Sequence, residues 1–171
     1  MKHVLFAGVA ACFALSASAE SSLGIDVNKT SYEDSSFEAQ SNNISLAYQY
    51  RFQDNFSIVG KVGFKAHEDN IDILGSEAKF SIDYLASVFV KYDLMPKETF
   101  NAYGLIGYSQ AKFQAKNNIF RYEETDSDLS YGLGADYEVA EDIRLYVEAV
   151  QLIDTSDAEL RSYNIGVQVN F

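Results

Sequence analysis

His67 stands in a polar segment that contains the residue types of a hydrolytic site. Glu68, Asp69, Asp72 and Ser76 follow it closely, so a general base, a residue to orient that base and a hydroxyl nucleophile are nominally present. Polar residues crowded into one acidic stretch are more often a solvated loop than a catalytic constellation. The sequence therefore predicts no enzymatic activity and gives no reason to expect a cofactor.

A second acidic segment raises the question of metal binding. Glu123, Glu124, Asp126 and Asp128 lie close together, and carboxylates bind calcium when a loop with a central glycine folds them around the ion. This segment has neither that spacing nor that glycine. We predict a weak, delocalised attraction of divalent cations and no defined metal site.

Charged side chains also recur at alternate positions within apolar runs, where the expected chemistry is ion pairing. The basic members are Arg51, Lys61, Lys65, Lys91 and Arg144, and the acidic members are Asp26, Asp83, Asp136, Glu138 and Glu148. The two signs are balanced, and buried charges persist when they are paired and hydrogen bonded. We predict an interior salt-bridge network, with Lys61 beside Asp83 or Glu148 at mid-height. The members expected to cluster at one end are Arg51, Lys91, Asp136, Glu138 and Arg144.

These positions are set by runs in which apolar and polar residues alternate with the two-residue period of a β-strand. The clearest runs are 44–52, 56–66, 80–92, 129–137, 143–149 and 163–171, while 22–30 is weaker and 100–113 has apolar residues on both faces. Together they predict eight strands. The facing of 100–113 stays open.

Short and long connections alternate between the predicted strands. The short ones are 53–55, 93–99 and 140–142, and the long polar ones are roughly 31–43, 67–78, 114–128 and 153–161. This arrangement is typical of a transmembrane barrel with short periplasmic turns and longer extracellular loops. We predict an all-β fold, an eight-stranded antiparallel up-and-down barrel that forms a single domain over residues 20–171.

The same alternation would fit a soluble lipocalin-like barrel, whose apolar face points inward around a ligand. Opposite the apolar face, however, stand mainly Gly, Ser, Asn and Gln, which suit the narrow interior of a membrane barrel. Aromatic residues also lie beside the short connections, where rings favour the lipid–water boundary. The predicted aromatic girdle consists of Phe52, Phe56, Tyr92, Phe100 and Tyr137.

The runs YGLIGYSQAKF, DLSYGLGADY, IRLYVEAVQL and YNIGVQVNF resemble the small outer-membrane barrels of the OmpX/Ail/Lom group and, more loosely, the OmpA transmembrane domain. The resemblance spans residues 20–171 and implies a place in the bacterial outer membrane. It also implies that the last strand carries the signal read by the barrel-assembly machinery. The residues that match this signal are Tyr163, Ile165, Val167, Val169 and Phe171.

Residues 1–19 have the pattern of a secretory signal peptide. Lys2 and His3 precede a short apolar run, and Ala17-Ser18-Ala19 form a small-residue cleavage site. The run is too short for a membrane helix. Cleavage after Ala19 would remove Cys12, the single cysteine of the chain, so we expect no disulfide in the barrel.

The net charge of −12 bears on the partners of the chain, because an acidic surface repels nucleic acid and heparin-like polyanions. We expect a monomer surrounded by outer-membrane lipid and lipopolysaccharide, with the assembly machinery as a partner during insertion. The favoured function is a mainly structural envelope protein of a Gram-negative bacterium with acidic surface loops. The alternative is a recognition protein of adhesin or serum-resistance type whose loops bind an extracellular protein. A small ion channel is less favoured, because side chains fill an eight-stranded interior.

Overall fold

The computed structural model describes residues 20–34, 37–67, 69–73, 76–96, 98–116, 121–154 and 158–171. They form nine strand segments, which are β1 (Ser21–Asp34), β2 (Phe37–Gln53), β3 (Phe56–His67), β4 (Asp69–Ile73), β5 (Ser76–Asp93), β6 (Phe100–Lys116), β7 (Arg121–Ala140), β8 (Ile143–Asp154) and β9 (Ala158–Asn170). The predicted signal peptide, residues 1–19, lies outside the described residues. Among the residues described, no helix is long and apolar enough to cross a membrane.

The strand segments close into an antiparallel barrel. Consecutive strands pair with each other except β3 and β4, β1 pairs with β9, and the pairing of β3 with β5 closes the sheet. Because β3 and β4 both pair with β5 from the same side, they share one position in the wall. The nine segments therefore fill eight positions, and the predicted eight-stranded barrel is confirmed.

The lipid-facing and interior faces alternate along each strand, as the pleat requires. On β8 the outward residues Leu145 and Val147 are 49% and 52% exposed, whereas Tyr146 and Glu148 between them are 4% and 9% exposed. Apolar side chains exposed in a continuous band would be costly in water but are stable in hydrocarbon. The apolar face is therefore the outer face of the barrel.

The structure resolves the facing of β6, which the alternation left open. Asn101, Tyr103, Leu105 and Ser109 are buried, and Ile106 lies outward with 58% exposure. Apolar residues occur on both faces of this strand because its two faces meet two different apolar environments. The outward ones contact lipid, and the inward ones contribute to an apolar part of the interior.

The predicted bounds of the four long connections are wrong, because described strand residues occupy most of each polar segment. The β1–β2 ladder continues to the pair Asp34 and Phe37, and the β6–β7 ladder continues to Lys116 and Arg121. The strands β2, β5, β6 and β7 have 17, 18, 17 and 20 residues, whereas crossing a membrane takes about 9–11. A strand that leaves the bilayer needs no apolar outer face, so the alternation disappears while the hydrogen-bonded ladder continues.

The extracellular half of the barrel interior is filled by an apolar cluster. The buried members toward this end are Ile82, Ala111, Phe113, Leu152, Ile153 and Leu160, and we refer to them as the outer apolar cluster. The ring of Tyr32 packs against Phe113 with a centroid distance of 5.0 Å. These residues lie toward the ends of strands that extend past the membrane, so they hold the protruding strands together.

Candidate functional site

The periplasmic half of the interior is built around Asp136 on β7. The guanidinium of Arg144 on β8 donates from Nε to Asp136 Oδ1, and Lys91 Nζ on β5 lies 3.4 Å from Asp136 Oδ2. Asn101 Nδ2 on β6 donates to the same Oδ2 atom at 3.0 Å. Strands β5, β6 and β8 thus place two cations and an amide on one carboxylate that is 3% exposed.

Asp93, at the end of β5, extends this group toward the barrel mouth. Its carboxylate lies 3.1 Å from Lys91 Nζ and 3.5 Å from Arg51 Nη2, and it accepts a 2.7 Å hydrogen bond from Asn101 Nδ2. Arg51 also pairs with Glu20 at 3.0 Å. We call Arg51, Lys91, Asp93, Asn101, Asp136 and Arg144 the Asp136 cluster.

A second group centres on Lys61 of β3. Its Nζ atom lies 3.4 Å from Asp26 Oδ2 and is in direct contact with Glu148 Oε2. The remaining lone pairs of these carboxylates also have donors. Tyr146 donates to Asp26 at 2.7 Å, Tyr103 to Glu148 at 3.0 Å, and Asn164 to Glu148 at 2.9 Å. We call Lys61, Asp26, Glu148, Tyr103, Tyr146 and Asn164 the Lys61 cluster.

Glycines opposite the two tyrosines give their rings room to lie across the interior. A Cβ atom on Gly166 would fall 2.5 Å from Tyr146 Cζ and 2.6 Å from the carbonyl oxygen of Ile25, and one on Gly134 would overlap the Tyr103 ring. A side chain at either position would displace the tyrosine whose hydroxyl group completes the Lys61 cluster. Glycine is therefore required at both positions, because the tyrosine rings approach the backbone too closely for a side chain.

The ten ionisable residues predicted to face the interior all take part in ion pairs, but not all at the predicted places. Of the two partners proposed for Lys61, Glu148 contacts it, whereas Asp83 lies 3.8 Å from Lys65 Nζ nearer the extracellular end. The pair of Lys65 and Asp83 is also partly exposed, with side-chain exposures of 30% and 25%. Glu138 pairs with Arg144 at 2.9 Å but is 44% exposed at the rim.

Several groups that complete the network are not predicted by the alternation of charged residues. The alternation predicts Asp93 in a turn, although it ends β5. Tyr146 and Asn164 have the same parity as the predicted interior residues of their strands, so counting neutral polar side chains would have found them. Tyr103 and Asn101 lie on β6, whose facing the pattern left open.

Little free space surrounds Lys61. Two cavities of about 20 Å³ adjoin it, each with room for about one water molecule. One of them separates Lys61 from the apolar residues Leu85, Phe89, Val150 and Leu152. A larger vestibule of about 370 Å³ opens at the periplasmic mouth, lined in part by Arg51, Glu138 and Arg144.

The predicted girdle residues all lie at the periplasmic end of the outer surface. Phe52, Tyr92, Phe100 and Tyr137 are 44% to 53% exposed. The ring of Phe56 lies 5.0 Å from that of Tyr92 and 6.3 Å from that of Phe52, while Phe100 is paired with Tyr137 across β6 and β7.

The last strand, β9, forms the seam that closes the barrel between β8 and β1. Ser21 N donates to Phe171 O at 3.1 Å, and Phe171 N donates to Ser21 O at 2.8 Å. The outward residues that match the assembly pattern are Tyr163, Ile165, Val167, Val169 and Phe171, with Phe171 itself 73% exposed. The seam therefore joins the two ends of the barrel domain.

At the extracellular end, β7 extends beyond its partner on one side. Its ladder with β6 reaches Arg121, whereas its ladder with β8 stops at the pair Tyr131 and Gln151. A side-chain contact from Asp128 to the Asp154 amide bridges part of the gap. Among the described residues, 121–127 thus have a strand partner on the β6 side alone, which leaves a backbone edge.

The described residues contain no group of three or more His, Cys, Asp or Glu side chains that could hold a metal ion. The side chains considered for catalysis, His67, Glu68, Asp69, Asp72 and Ser76, lie outside those described, as do Glu123 and Glu124. Asp126 and Asp128 instead hydrogen bond to backbone amides, Asp126 to that of Ser127 and Asp128 to those of Leu129 and Asp154.

A family model described as outer membrane protein beta-barrel domain matches residues 4–171. The chain belongs to this family, and its location is the bacterial outer membrane. The comparison with curated proteins found no match.

Among solved structures, the chain is similar to Ail, the attachment invasion locus protein of Yersinia pestis, in complex with the heparin analogue sucrose octasulfate. The identity is 15%, with 91% of this chain and 100% of that chain covered and a TM-score of 0.68. Neisserial surface protein A shows 16% identity, 88% and 97% coverage and a TM-score of 0.63. The N-terminal barrel domain of Pseudomonas aeruginosa OprF shows 14% identity, with 90% of this chain and 100% of that chain covered and a TM-score of 0.63. At these identities the likeness shows the fold.

Proposed function

We propose that this outer-membrane barrel is a mainly structural protein of the envelope of a Gram-negative bacterium, embedded as a monomer among phospholipid and lipopolysaccharide. The observation that carries the proposal is the filled interior, in which the Lys61 cluster lies below an apolar layer and above the Asp136 cluster. Eight strands leave only enough room for their own side chains, and here those side chains are cross-linked by ion pairs. We assign the chain no enzymatic activity and no cofactor.

Assembly is part of the proposed function. The barrel-assembly machinery would read β9, and residues 1–19 would be removed as a signal peptide. Two observations support this: β1 begins at Ser21, and the backbone of Ser21 is already bonded to Phe171. A retained apolar leader would therefore emerge from the seam itself.

Removal of Phe171 tests the assembly role. We expect the deletion to lower the amount of inserted barrel several-fold, whereas Val167→Ala, which only trims a lipid-facing side chain, leaves it nearly unchanged. Insertion is measured in outer-membrane fractions by the mobility shift of folded barrels on heating. Equal membrane yields for both variants would count against a role of Phe171 in recognition by the machinery.

A comparison of bacteria with and without the gene tests the structural role. We expect loss of the protein to increase the sensitivity of the bacteria to detergent. A barrel in which a short turn replaces residues 112–125, at the ends of β6 and β7, should restore resistance fully. Unchanged detergent sensitivity in the deletion strain would contradict an envelope role.

A second function is favoured by the edge of β7 at residues 121–127, which pairs with β6 alone among the described strands. Extended peptides can add to such an edge as a further strand, with backbone hydrogen bonds providing affinity. Ail is called an attachment invasion protein, and one of its structures contains a heparin analogue. The protruding region of this chain carries Glu33, Asp126, Asp128, Asp154 and Glu159, which would repel a polyanion. An extended segment of an extracellular protein therefore fits better.

This recognition function is tested by replacing residues 112–125 with an Asn-Gly turn, which connects the register pair Ala111 and Asp126 and removes the edge. The matched control replaces residues 32–39, which connects Ser31 and Gln40 on β1 and β2. Adhesion to matrix-coated wells should fall only for the first variant, at equal insertion. Equal adhesion of both variants and the intact barrel would remove this candidate.

A further inference from the structure

An apolar groove crosses the lipid-facing surface over β5, β6 and β7. It has a volume of about 660 Å³, and the outward residues that form it include Phe56, Tyr92, Gly104, Ile106, Leu133 and Ala149. Phe56 is paired with Tyr92, Tyr92 with Gly104, Gly104 with Leu133, and Leu133 with Ala149. Five of these residues thus belong to one row of register partners that spans five strands, and the groove opens within this row at Gly104.

The groove exists because Gly104 interrupts this row of large side chains. A Cβ atom built on Gly104 would meet nothing within 4 Å. On either side, Tyr92 and Leu133 stand out from the surface, and they are 44% and 73% exposed. The floor of the groove is thus backbone, and its walls are aromatic and aliphatic side chains.

The depth of the groove indicates what occupies it. One end lies at Phe56 and Tyr92, whose rings pack 5.0 Å apart in the periplasmic girdle, at the level of the inner-leaflet headgroups. The other end lies at Ala149 within the apolar band, and no lining residue carries a charge. A void within hydrocarbon forfeits dispersion contacts unless an apolar, flexible group fills it.

We propose that this groove is a binding site for one acyl chain of an inner-leaflet phospholipid. The chain lies along the glycine floor between Tyr92 and Leu133, and the tyrosine hydroxyl faces the headgroup region. Such a lipid exchanges more slowly than lipids on a flat part of the barrel surface, because the walls of the groove surround the chain on several sides. The site is independent of the ion-pair clusters and of the protruding strands.

Gly104→Leu tests the site because its Cβ atom would meet nothing within 4 Å and the side chain would extend into the groove. Gly60→Leu is the matched control. Gly60 also lies on a strand where an added Cβ would meet nothing within 4 Å, but it does not line the groove. Each barrel is extracted from outer membranes into mild detergent, its folding is checked by the heat shift, and the bound phospholipid per barrel is measured by phosphorus assay and mass spectrometry.

The intact barrel and Gly60→Leu should retain phospholipid, while Gly104→Leu should retain about tenfold less, which corresponds to about 1.4 kcal/mol. Equal retention in all three proteins would overturn the proposal. Retention of lipid A in place of phospholipid would overturn the choice of leaflet. A cross-linked dimer that Gly104→Leu abolishes would show that a second barrel occupies the groove, and that result would also overturn it.

Discussion

The two halves of the barrel interior are stabilised in different ways. The periplasmic half holds the Lys61 and Asp136 clusters, whose cations and carboxylates pair mostly across the interior, between strands that are not adjacent in the wall. The extracellular half holds the outer apolar cluster, where Leu160 and Ile153 are 0% and 1% exposed. Within the bilayer, polar side chains point into the interior and apolar side chains face the lipid. Beyond it, strands with polar outer faces need an apolar interior to pack together, as in a soluble protein.

The difference predicts that single substitutions destabilise the barrel for different reasons in the two halves. In the charged half, removing one partner leaves another charge buried and unpaired, which is very costly. In the apolar half, truncation costs lost contacts and a cavity.

Lys61→Ala should have the largest effect, because it leaves both Asp26 and Glu148 without their cation. We expect a loss of about 3–5 kcal/mol in the free energy of unfolding, measured by urea titration in lipid vesicles with the gel shift as readout. Lys65→Ala is the control, since its pair with Asp83 is partly exposed and such pairs contribute at most about 1 kcal/mol. Equal losses would refute the special position of Lys61.

Leu160→Ala should come next, with a loss of about 3 kcal/mol for a buried leucine. Ser162 is the comparison, because it lies two residues further along β9 on the same inward face and donates to Asn164 at 2.6 Å. Ser162→Ala should cost only about 1 kcal/mol, the value of one hydrogen bond. If Ser162→Ala were the more damaging of the two, the interior near Leu160 would not depend on apolar packing.

Gly166→Ala should cost about 2 kcal/mol, within the range for overpacking, because its methyl group meets the Tyr146 ring and the Ile25 carbonyl. Gly60→Ala serves as the control on the open outer face and should change stability little. The same urea titration applies. A fully stable Gly166→Ala barrel would show that Tyr146 can move without weakening the Lys61 cluster.

How much the sequence could predict depends on whether the polarity of a residue matches the side of the wall that it faces. Residues such as Leu145 and Glu148 alternate between lipid and a polar interior, so their facing could be read directly. On β6, Ile106 contacts lipid while Leu105 packs inside, and no pattern of polarity separates them. Asn42 and Ser127 are polar residues on strand extensions, and they resemble loop residues because strand pairing depends on the backbone.

The most direct test of the filled interior is single-channel recording of the purified barrel in planar bilayers, with Lys61→Ala recorded alongside it. We predict no conductance steps for the intact protein, because the Lys61 cluster and the apolar residues beside it occupy the interior. The Lys61→Ala barrel should show small, flickering events at most. Stable, ion-selective steps from the intact barrel would contradict the account and make the protein a channel.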